Sequence, residues 1–177
     1  MKEMLGVLAL GLAALVVQGM LARLLPLHAV PDLALLVPLA AALLLEPAAA
    51  LALATLLGLG ADGLSGALLG QHAFLRLLEV GMARGLAGQL DLQRAGPFAV
   101  FAAAVVVFDT LGQAGLSRLF LGAFDFRWTE LLGFGFRAVG TAVCAPLIAM
   151  LVRGLIERLR EGEARREMRL DTKRPVL

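Results

Sequence analysis

The sequence predicts an all-α integral membrane protein, a bundle of about six transmembrane helices, on three observations. Of its 177 residues 60% are hydrophobic and only 17% are charged, where soluble domains carry roughly 25% charge. The mean hydropathy is +0.87. A soluble core cannot absorb that much apolar surface, so the surplus must face a lipid bilayer. Finally, apolar runs of near-spanning length alternate with short connectors rich in proline, glycine and charge.

The first run, Met4–Leu25, has 22 residues and only Gln18 and Arg23 as polar breaks. As a helix it covers roughly 33 Å, which argues for a retained span rather than a signal peptide. "PLHAVPD", Pro26–Asp32, is a connector, and Pro31 suits a helix start. Leu33–Ala61 follows, 29 residues interrupted by Glu46-Pro47. At roughly 44 Å it is too long for one upright span. It reads as two short helices joined by a tight turn, with one long kinked helix as the alternative. Helix 4 is expected over about Leu68–Ala87 and helix 5 over Phe98–Leu116. Ser117–Trp128 reads as an interfacial loop with Phe120, Phe124, Phe126 and Trp128 at headgroup level. Helix 6 is expected over Glu130–Leu155, continuing into a charged tail in which Glu157/Arg160 and Glu161/Arg165 have helix-pairing spacing.

Charge distribution sets the expected topology. Of 16 Lys and Arg, eight lie between Arg153 and Arg174, beside five of the 14 acids. The chain therefore divides into a transmembrane domain, 1–155, and a charged tail, 156–177, which the positive-inside rule places in the cytoplasm. Six helices put the N-terminus on the same side; a count of five, the alternative, would put it outside.

"GLGADGLSGALLGQHA" holds a formal G-x-G-x-x-G at Gly58, Gly60 and Gly63. A dinucleotide fingerprint needs a strand before it and a βαβ unit around it, and "ALALATLL" before this one is helical in pattern. The glycines instead suit close helix packing and turns. Gly66/Gly70 and Gly81/Gly85 have small-xxx-small spacing. Asp62 has three readings: an acid at a helix end that accepts the free N–H groups of the next helix, a group that orients the connector for a partner, or a group that binds an ion or substrate.

His72 and His28 are the two histidines, too few for a metal site without a nearby acid cluster. Arg76 and Glu79 are three apart and can pair. Asp109 and Arg137 are expected to pair between helices 5 and 6. Ser65 has no patterned base, and no H-E-x-x-H or Walker motif occurs, so neither catalysis nor a cofactor is expected. The single cysteine, Cys144, excludes a disulfide framework. The basic tail can touch anionic lipid, and nothing points to nucleic acid.

Pro31-Asp32 opening an apolar run, followed by Gly58, Asp62, Ser65, Gly66, Gly70 and Ala73 in a G-x-x-x-D-x-x-S-G-x-x-x-G-x-x-A spacing, resembles the rod shape-determining protein MreD family. Length, helix count and charged tail are also similar. The resemblance implies a non-enzymatic component of the bacterial cell-elongation machinery in the inner membrane. Its implied partners are MreC, MreB, RodA and the penicillin-binding transpeptidase, and its implied role is to scaffold or regulate lateral peptidoglycan synthesis. The same family is similar in layout to the vitamin-binding subunits of energy-coupling-factor transporters. That alternative requires a polar pocket near the outer face, built from Asp62, Gln71, His72 and Arg76. The candidate partner-contact or motif residues are thus Pro31, Asp32, Gly58, Asp62, Ser65, Gly66, Gly70, His72, Arg76 and Glu79.

Overall fold

The computed structural model describes residues 2–26, 29–65, 68–122 and 128–171, with 121, 128–132 and 163–171 described as backbone. Six helices follow one another: α1 (Lys2–Leu24), α2 (Leu33–Ala42), α3 (Pro47–Ser65), α4 (Gln71–Leu86), α5 (Ala95–Leu121) and α6 (Trp128–Asp171). Among the described residues there is no strand. Four helices, α1, α3, α5 and α6, are long and apolar enough to cross a membrane. The chain is an all-α membrane bundle.

The two remaining helices are short, 10 residues for α2 and 16 for α4, or roughly 15 Å and 24 Å. α2 is enclosed by the other five helices, and nine of its 10 residues are buried. It therefore needs no spanning length and no polar face. The outer helices behave oppositely. Only 17% of the apolar window of α1 is buried, and Leu12, Val16 and Met20 on α1, Val100 on α5, and Val139 and Val143 on α6 are exposed. Such a surface is stable in lipid and not in water.

Glu46-Pro47 is the tight turn of the first expectation, not a kink. α2 ends at Ala42, with the Leu45 N–H bonded to the Ala41 carbonyl, and Pro47 is the first residue of α3, where its missing N–H has no partner to lose. From there the chain runs back and forth. α1 and α3 run side by side, Gly11 against Leu57 and Gly60 against Leu15. α3 and α4 are antiparallel and touch where Gly58 meets the backbone of Ala73.

Arg160 of α6 donates from Nε (3.0 Å) and Nη2 (3.1 Å) to the Glu3 carboxylate, and from Nη2 to the Leu44 carbonyl. Both ends of the helical chain, the 43–46 turn and the 87–94 loop thus share one end of the bundle, here the terminal end. The α3–α4 connector lies at the opposite end.

Several boundaries differ from the sequence expectation. α5 reaches Leu121, so residues 117–121 are helix rather than loop; Phe124 and Phe126 lie outside the described residues, as does His28. α6 begins at Trp128 and continues unbroken past residue 155 to Asp171. Ile156 is buried. In the tail Arg160 takes Glu3 as its hydrogen-bonded partner, and the side chain of Arg165 lies outside the described set. Among the described residues a Cβ at Gly81, Gly85 or Gly63 would meet nothing within 4 Å, so these glycines make no close helix contact there, contrary to the spacing argument.

Gly58 and Gly63, on one helix, give a paired test. A Cβ at Gly58 would press into Ala73 Cα and lie 2.6 Å from its N, both backbone atoms. Gly58→Ala should therefore destabilise by about 1–3 kcal/mol through overpacking, whereas Gly63→Ala should be neutral or stabilising by up to about 1 kcal/mol through helix propensity. Thermal unfolding of the two variants in mild detergent checks the ranking.

Candidate functional site

The polar groups of the bundle gather at two depths. The first is an ion cluster beneath α2. Asp109 stands near the middle of α5, roughly 20 Å from either end of that helix, so the cluster lies deep in the apolar layer. A charge there costs several kcal/mol unless it is paired.

Asp32 is its centre. Its Oδ1 accepts the Leu35 N–H at 3.0 Å and so caps α2; its own N–H donates to Thr141 Oγ1 at 2.9 Å. Its Oδ2 receives Arg76 Nη2 at 3.1 Å and Arg137 Nη2 at 2.7 Å. Arg76 turns its other terminal nitrogen, Nη1, to Glu79 Oε2 at 3.0 Å. One carboxylate thus ties the start of α2 to α4 and α6. Gln18 of α1 accepts the next free N–H, that of Ala34, at 3.1 Å. The C-terminal carbonyls of α2 are met as well: Arg84 Nη1 donates to Ala42 O at 2.7 Å and to Leu45 O at 2.9 Å. A short helix with an acid at its N-terminus and a guanidinium at its C-terminus is complemented at both poles of its dipole.

The expected Arg76–Glu79 pair is present. The expected Asp109–Arg137 pair is not. Arg137 is taken by Asp32, and Asp109 Oδ2 accepts Gln113 Nε2 at 2.6 Å, one helical turn away on α5. The rotation of α6 decides this: it places Arg137 and Thr141, one turn apart, together against Asp32.

The second cluster is a cradle at the opposite end. Asp62, in the last turn of α3, accepts the backbone N–H groups of Gly70 (2.9 Å), His72 (2.8 Å) and Ala73 (3.4 Å). His72 Nδ1 lies 2.8 Å from Asp62 Oδ1 and donates to it. Asp62 is therefore the helix-end acid of the first reading, stitching α3 to the start of α4. Gly70 adopts a left-handed φ of +93°, a conformation costly for residues with a Cβ. The Ser65 hydroxyl donates to the Asp62 carbonyl at 3.3 Å.

Of the other motif residues, Pro31 packs beside Gly140 and Gly58 seats the α3–α4 contact; Gly66 lies outside the described residues. The motif residues therefore fall into two separate places, the cradle and the deep cluster. Thr141, Gln18, Gln113 and Arg84 join the network without having been given a site role from the sequence. Isolated polar residues in apolar helices were the available signal.

Gln71 Nε2 donates to the Gln113 carbonyl at 3.0 Å. With Asp62, His72 and Arg76 also bonded inward, these four side chains do not form a common pocket. Of the four, Gln71 alone lines the cavity near that end, about 370 Å³, whose wall is otherwise Leu68, Leu69, Gly70, Phe74, Leu116 and Phe120. Among the described residues no group of three or more His, Cys, Asp or Glu is placed to hold a metal ion.

The two clusters should respond differently to truncation. Asp32→Ala leaves the buried Arg76 and the half-buried Arg137 without their shared carboxylate and should cost about 3–5 kcal/mol, seen as loss of the folded monomer in detergent size-exclusion. Asp62→Ala unpairs the N–H groups of the connector at about 1–3 kcal/mol. Its effect should be local, read as faster hydrogen exchange over 68–73 with α5 and α6 unchanged. Comparison with protein-family models, with curated proteins and with solved structures finds no match to this chain.

Proposed function

We propose that this chain is a non-enzymatic membrane component of the bacterial cell-elongation machinery, of the MreD kind, acting by contact with partner proteins. The observation that carries the reading is where the motif residues go. Pro31, Asp32, Gly58, Asp62, Ser65 and Gly70 build the joints between α2, α3, α4 and α6. Their polar groups are used inside the protein, while long apolar faces of α1, α5 and α6 point outward. A body rigidly fixed inside and apolar outside suits a scaffold that holds other membrane helices.

In this reading the protein sits in the cytoplasmic membrane with its basic terminal end inside. It holds MreC, and through the assembled complex MreB, RodA and the penicillin-binding transpeptidase, at sites of lateral peptidoglycan synthesis. The transporter alternative is less well supported, because the residues its polar pocket needs are bonded to other protein groups.

Purification of the tagged protein from its native membrane in gentle detergent, with mass spectrometry of what accompanies it, tests the proposal. Recovery of MreC with the wall synthases is the expected result. Recovery of an ATPase pair with a helical coupling subunit, or of no elongation protein at all, overturns it.

A further inference from the structure

The deep cluster holds three carboxyls, Asp32, Glu79 and Asp109, and two guanidiniums, Arg76 and Arg137. All three acids are about 99% buried. With every group ionised the cluster carries one excess negative charge. That excess is not spread evenly. Asp32 meets both arginines and a backbone N–H. Among the described residues Glu79 is hydrogen-bonded by Arg76 through Oε2, and Asp109 is hydrogen-bonded by the neutral amide of Gln113 through Oδ2.

Two buried side-chain atoms have no hydrogen-bond partner among the described residues: Glu79 Oε1 and Asp109 Oδ1. They belong to neighbouring groups: Leu75 of α4 packs against Gly112 of α5, and one turn further along this antiparallel pair Glu79 comes level with Asp109. Two ionised carboxylates are both acceptors and cannot satisfy each other. Placed together in a dry interior they repel, and the usual resolution of such a pair is a shared proton.

We propose that Glu79 and Asp109 hold one proton between them, making the α4–α5 joint a proton-binding site in the membrane interior. The proton forms an O–H bond on one carboxyl and is donated to the free oxygen of the other. This one hydrogen bond satisfies both orphan atoms, and the cluster becomes neutral, with Asp32 the ionised partner of the two arginines. The groups around the pair are Asp32 at the start of α2, Arg76 on α4, Gln113 on α5, and Arg137 with Thr141 on α6. Gln18 from α1 is engaged with Ala34. The one charged residue of α3, Asp62, is held by His72 at the opposite end. The inference does not depend on the proposed function.

Infrared difference spectroscopy of the full chain reconstituted in lipid, at neutral pH and with hydrogen–deuterium exchange, tests it. The expected result is a protonated-carboxyl carbonyl band in the wild type. The band disappears in Glu79→Gln and in Asp109→Asn and persists in Asp62→Asn. Each single amide variant keeps the cluster neutral and folded, while the double variant, left with an uncompensated arginine, loses stability. A wild-type spectrum without the band overturns the proposal, and this needs no variant to fold. If stability then rises with sodium over potassium, a metal cation occupies the site instead. A band that survives both single substitutions also overturns it.

Discussion

The bond of the Asp32 carboxylate to two guanidiniums is the interaction on which the rest of the bundle depends. A helix as short as α2 is marginal by itself. It cannot be held by a choice of apolar face either, since it is apolar all round. Its position and start are instead set by one side chain that caps it with one oxygen and binds α4 and α6 with the other. With α2 fixed, the longer helices have a surface to pack on. The outer helices then need only present lipid with what they already have in excess.

The polar contacts are layered along the bundle, and each layer joins a different set of helices. The Arg160–Glu3 bonds close α6 on α1 at the terminal end, and Arg84 holds the end of α2 there. The ion cluster joins α2, α4 and α6 at mid-depth. The Asp62 cradle joins α3 to α4 at the opposite end. Apolar packing in lipid gains little from hydrophobicity, because the surrounding chains are as apolar as the side chains. Directional bonds at three levels therefore supply register that apolar contact alone leaves loose.

Local features were legible from the residues, and long-range ones were not. The turn at Glu46-Pro47, the helix-end role of Asp62 and the Arg76–Glu79 pair each follow from neighbours in sequence, where spacing and backbone chemistry decide. Asp32 stood out through its place beside Pro31 and the family resemblance, but its partners lie 44 and 105 residues away. Their choice depends on helix rotation, which an apolar helix of low amphipathicity does not encode in its pattern. For the same reason Arg137 was assigned to Asp109. The glycine spacings misled at Gly81 and Gly85 because such spacings arise readily in a chain with 20 glycines, and Gly58 alone among the α3 glycines is pressed against backbone.

The separation between Asp32 and Arg137 also orders events in time. Synthesis runs from the N-terminus, so Asp32 is made 105 residues before Arg137. Through that interval α2, already apolar and already too short to span, has no second cation for its acid. The first half of the chain can be inserted but not completed; α6 delivers the group that completes the seat of α2. Completion of this bundle is therefore a closing step rather than a sequence of independent insertions, and a nascent chain stalled before α6 holds its acid with one cation, Arg76, instead of two.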